Sequence, residues 1–143
     1  MIGFLIAILS GACMSVQGVF NTQVTKDAGV WVTNIFVQLT ALLVCIVGWY
    51  FADKRSFAAL SFVEPKYMLL GGAIGAVITF TVIKSMASLG PTQAVLVIVI
   101  SQILVAYLIE LFGLFGVEKQ PFQWNKVWGM ILAVAGIFLF KFK

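Results

Sequence analysis

Histidine is absent from this 143-residue sequence, and cysteine occurs only twice, at Cys13 and Cys45, each in the middle of an apolar run. Without imidazoles or clustered thiols, neither a metal-ligand set nor a Cys/His nucleophile can be assembled, so no metal and no cofactor is expected. Both cysteines read as buried, inert thiols. Charge is nearly as scarce, at 10% of residues. No paired carboxylates and no phosphate-cradling loop are present, so an enzyme is not expected. The net charge of +4 is small and dispersed, which argues against a nucleic-acid surface; Lys and Arg beside apolar spans ordinarily anchor a chain to lipid headgroups.

What remains is apolar. The hydrophobic fraction is 62% and the mean hydropathy +1.11, far beyond an ordinary globular domain, so lipid is the expected solvent and partner. A hydrocarbon core about 30 Å thick takes about 20 apolar residues per helix. Charges punctuate the sequence into five such stretches, at approximately 2–24, 29–51, 67–88, 91–113 and 124–141. A turn is expected at Lys26-Asp27, a longer polar connection between Ser56 and Lys66, and a break at Gly90-Pro91, since proline suits a helix's first turn but not its interior. The spans lack the alternation of barrel strands, and backbone groups in hydrocarbon must be satisfied within the segment, so the expected fold is all-α: one polytopic domain of five transmembrane helices, with no soluble domain. Signal cleavage is not expected, because the N-terminus lacks a basic region and Leu9-Ser10-Gly11-Ala12-Cys13 departs from a lipoprotein cleavage site.

Orientation is weakly specified. Lys54, Arg55, Lys66, Lys119 and Lys126 fall on the N-terminal side, against Lys26, Lys141 and Lys143, with Lys84 as an embedded extra. So slight a bias permits insertion in both directions. Small residues mark where helices can approach, for packing within the chain or for a dimer seam: Gly71 and Gly75 in the third span, and Gly129, Ala133 and Gly136 in the fifth. Trp124 and Trp128 suit the interfacial belt, and Lys126 beside them is expected to snorkel to the headgroups.

An amide in hydrocarbon must find a partner or line a wet cavity. Gln17 and Asn21 share one helix face, as do Asn34 and Gln38 on the following antiparallel span. Counting about 1.5 Å per residue from each midplane puts Gln17 and Asn21 roughly 6 and 12 Å toward the side opposite the N-terminus, with the other pair at similar depth. The four form either a clasp between two helices or the lining of a substrate path. Gln102 sits near the centre of the fourth span. Lys84 lies roughly 10 Å toward the amide side and Glu110 a similar distance toward the other. They are too far apart to pair within one chain, but an antiparallel second copy brings them level. Snorkelling is the plain alternative for both.

Gly11 through Gln17, Gly18 and Asn21, the Gly90-Pro91 break, Gln102 with the run Glu110 to Gly116, and the closing Gly129 to Gly136 helix together resemble the short, five-helix YdcZ-like proteins of the bacterial drug/metabolite transporter superfamily. These are related to each half of the ten-helix EamA-type transporters. The resemblance covers essentially the whole chain. It implies a multi-pass protein of the bacterial inner membrane that moves a small-molecule substrate, as an exporter. Since five is odd, two such units in tandem are inverted repeats around a midplane site, and a single unit recreates that arrangement as an antiparallel homodimer working by alternating access. Gln17, Asn21, Asn34, Gln38 and Gln102 would then line the pathway, with Glu110 as the ion-coupling group and Lys84 its counter-charge. Small-multidrug-resistance transporters look different, having four helices and an acid in the first, where this chain has none. A non-transporting membrane assembly subunit and a lipid-precursor flippase are the alternatives.

Overall fold

The computed structural model describes residues 1–141; Phe142 and Lys143 lie outside the described residues, and with Lys143 one member of the charge count above. The fold is all-α, and among the described residues there is no strand. The helices are α1 (Ile2–Ala28), α2 (Val30–Gly48), α3 (Gly71–Leu89), α4 (Pro91–Phe112) and α5 (Trp124–Lys141). A π-helical turn, Trp49–Asp53, extends α2, and a 3₁₀ turn, Lys66–Leu70, leads into α3. With these extensions the first four are long and apolar enough to cross a membrane, at 22 to 27 residues, whereas the apolar stretch Trp124–Phe140 is shorter. At most 11% of the most apolar window of each long helix is buried by protein. So much bare apolar surface is compatible with lipid as solvent and not with water. The chain is a polytopic membrane protein.

Glycine sets the sharpest breaks. Gly29 (φ 79°, ψ 160°) and Gly90 (φ 81°, ψ 159°) share an extended positive-φ conformation that is essentially closed to residues bearing a Cβ. Each glycine carbonyl then accepts the first bond of the next helix, from Thr33 N–H and Ala94 N–H, both at 3.1 Å. Sequence reasoning ends the first span near residue 24 with a turn at Lys26-Asp27; the structure carries α1 on to Ala28 instead. Two charged side chains can project from a helix end into headgroups without breaking it, whereas the φ reversal needs the glycine.

The chain divides into two compact units, 1–88 and 89–143. In the first, the buried positions are Gly18 and Asn21 of α1, Thr33 and Asn34 of α2, and Ile83 and Met86 of α3. The end of the Met86 side chain lies over Gly18 in the space a Cβ would take, bringing α1 and α3 into contact here. Trp31 stacks on Phe80 with ring centroids 4.9 Å apart, tying α2 to α3. In the second unit α4 and α5 form a hairpin in which Ala94 and Tyr107 are buried.

The cysteines correct an expectation: Cys13 and Cys45 are both exposed on the chain, not buried. In lipid there is no hydrophobic drive to bury an apolar side chain, so a thiol on a lipid-facing surface costs nothing.

Candidate functional site

In the second unit, α4 ends at Gly113, which adopts the left-handed conformation (φ 66°, ψ 39°) and donates its N–H to Ile109 O. The connection then folds back on the helix it has left. Gln120 N–H donates to Glu110 O at 2.9 Å, and Gln123 N–H to the Tyr107 hydroxyl at 3.2 Å. Both bonds serve the end of α4, where one carbonyl would otherwise lack a partner. They also deliver the first turn of α5 beside the last turns of α4.

That hairpin brings Lys126 Nζ to 2.7 Å from Glu110 Oε2. The ammonium also lies 5.5 Å from the centre of the Tyr107 ring, so a cation–π contact steers it from a second side. The side chains retain 38% and 43% of their accessible surface, respectively, enough for both to remain reachable. The pair stands on the wall of a cavity of about 460 Å³, whose other walls are Ile100, Ile103, Leu104 and Ala106 from α4 and Gly129, Met130, Ala133 and Val134 from α5. Charge and aromatic hydroxyl thus sit at one end of a lining that is otherwise apolar. Lys126, expected to snorkel to the headgroups, has a carboxylate partner within its own chain at that end of the helices. Sequence reasoning missed this pair, although both residues had been placed on the same membrane side, near the facing ends of consecutive helices.

Lys84, in the first unit, is exposed, and its Nζ lies 6.0 Å from the Phe80 ring. No carboxylate lies within ion-pair distance of it among the described residues.

The amides of the first unit are placed unevenly. Gln17 and Asn21 lie along a shallow, open groove on α1 with Ala12, Cys13, Val16 and Phe20. Asn34 is only 4% exposed, and its Nδ2 donates to Ala76 O of α3 at 3.0 Å. It therefore reaches α3 and not an amide of α1. Its Oδ1 is buried with no hydrogen-bond partner among the described residues, an acceptor held ready in a low-dielectric setting. Gln38 is half-buried and Gln102 exposed.

Among the helical glycines, Gly18 is the one at which an added Cβ would meet side chains of a neighbouring helix, Met86 and Val82 of α3. A Cβ at Gly71, Gly75, Gly129 or Gly136 would meet nothing within 4 Å, and Ala133 faces the α4–α5 cavity. The signal that could have singled out Gly18 is its neighbourhood on α1, between Gln17 and Asn21.

Residues 2–139 match the family model described as "Putative inner membrane exporter, YdcZ". No curated protein and no solved structure matches the chain. An exporter family is a class of transporter and not of enzyme, and its membrane agrees with the apolar helices described above. Because the match spans nearly the full sequence, the chain belongs to the YdcZ inner membrane exporter family.

Proposed function

We propose that the chain exports a small molecule by alternating access, as an antiparallel homodimer in which each copy supplies one five-helix transmembrane half. The observation that carries this is the Glu110–Lys126 pair on the wall of a 460 Å³ cavity, in a member of an exporter family. An ionisable pair embedded beside hydrocarbon is costly to keep, and its natural use is to couple ion movement to substrate movement. Protonation of Glu110 cancels the attraction that holds Lys126, and the freed ammonium swings away. Proton release on the other side restores the pair.

In the inverted dimer Lys84 of the second copy stands at the depth of Glu110, counted along each span, and becomes the counter-charge of the alternate state. That Lys84 has no carboxylate partner among the described residues of its own chain supports this role. Gln17, Asn21, Asn34, Gln38 and Gln102 line the path in this reading. The small residues with open space above them outside the α4–α5 cavity, Gly71, Gly75 and Gly136, are the seam offered to the second copy.

The test is flux into proteoliposomes under an imposed pH gradient, with ethidium and radiolabelled neutral amino acids as probes. Glu110→Gln is expected to abolish the dependence of flux on the gradient, and Asn34→Leu to lower flux while keeping that dependence. Gradient-dependent flux unchanged in Glu110→Gln removes the coupling role.

A further inference from the structure

The α4–α5 cavity has the length and the polarity of a lipid headgroup with one acyl chain. Its α4 wall runs from Ile100 to Glu110, which at about 1.5 Å per residue is roughly 15 Å. That is half of a hydrocarbon core of about 30 Å, the depth of one leaflet. The charged end is at the membrane-surface end of both helices, because Glu110 lies in the last turn of α4 and Lys126 in the first turn of α5. The other end runs toward mid-membrane between Ile100 and Val134. Ala133 and Gly129 keep the α5 wall low, leaving room for a chain to lie against it.

The polar end selects the headgroup. A ligand carrying a single charge would draw one residue out of the Glu110–Lys126 pair and leave the other without a partner in a poorly screened setting, which is costly. A zwitterion replaces one ion pair with two. We propose that this groove binds a zwitterionic phospholipid of the phosphatidylethanolamine type, its ammonium donating to the Glu110 carboxylate, its phosphate accepting from Lys126, and one acyl chain lying between α4 and α5. The site uses the same ion pair as the transport reading, but the two fail separately, since lipid retention is measured without flux.

The experiment is native mass spectrometry of the purified full-length protein in detergent, titrated with dioleoyl phosphatidylethanolamine or dioleoyl phosphatidylglycerol, which have the same chains. Phosphatidylethanolamine is expected to bind about tenfold more tightly, as one additional charge-assisted hydrogen bond would give. Glu110→Gln is expected to erase that preference, with phosphatidylethanolamine losing its ammonium partner and phosphatidylglycerol tightening because it no longer strands a carboxylate. Ala133→Phe, which fills the groove without touching the charges, is expected to abolish retention of both lipids, and free phosphoethanolamine at equal concentration to compete poorly. Circular dichroism confirms that each variant is helical, and the comparison of the two lipids on the unaltered protein stands without any variant. Equal affinity for the two lipids overturns the proposal, as does retention indifferent to Ala133→Phe. So does a disulfide between copies through Val134→Cys in protein that retains neither lipid, because a second copy then fills the groove. Loss of gradient-dependent flux in Glu110→Gln with lipid preference intact would leave the transport reading standing and this one refuted.

Discussion

Lys126 and Glu110 show what a low-dielectric surrounding does to a charge. Each would be expensive alone, and together they are tolerated because the hairpin sets them 2.7 Å apart. Removing one partner should therefore cost more than removing both. Lys126→Met is expected to lower stability by about 1 kcal/mol, given that both side chains stay partly exposed, and adding Glu110→Gln to recover at least half of it. Urea unfolding in detergent, followed by helical circular dichroism, reads the cycle; strictly additive losses would show the two residues to be uncoupled. Asn34 allows a sharper test of polarity. Asn34→Leu gives up the bond to Ala76 O for about 1 kcal/mol, whereas Asn34→Asp keeps the size, loses the donor and points an oxygen at that carbonyl. The aspartate variant is expected to be the less stable of the two in the same assay, and the reverse order would mean that the Asn34–Ala76 bond contributes little.

The helices were legible from the sequence wherever uncharged apolar residues ran on for about 20 positions, because hydrocarbon leaves the backbone no alternative to a helix. Their ends were less legible. The Lys26-Asp27 pair looked like a turn, but charge alone does not break a helix, and the reversal waits for Gly29. The conformation shared by Gly29 and Gly90 predicts that Gly29→Ala and Gly90→Ala each cost about 1–3 kcal/mol, while Gly72→Ala, inside α3 with open space around it, is neutral or stabilising. Thermal melts of the three variants separate the classes. Among the site residues, the i, i+4 amide pairs were visible as shared helix faces, but not which neighbour each face would meet. Asn34 went to an α3 carbonyl because a backbone acceptor on a packed helix is reached without ordering a second long side chain.

For the whole molecule, the weak charge bias and the odd number of helices lead to a prediction about orientation. In a variant lacking Cys13 and Cys45, a single cysteine at Ser56, between α2 and α3, is expected to react to roughly one half with a membrane-impermeant maleimide in intact cells, and fully after lysis. Labelling of all or none in intact cells would fix one orientation and rule out the inverted dimer. Removing the native thiols is expected to leave folding unchanged, since both sit on exposed faces. The sequence by itself determined the solvent, the all-helical class and the break at Gly90-Pro91, because each follows from local composition and from what hydrocarbon forbids a backbone to do. Only the tertiary structure decided that Glu110 has a partner in its own chain, that the partner is Lys126, and that the two head an apolar cavity. That outcome depends on the path of the connection between α4 and α5, where Gly113 reverses the chain and Gln120 and Gln123 bond back to α4. Spacing along a sequence does not encode a path of that kind, because the energies that select it come from residues brought together only after the chain has turned.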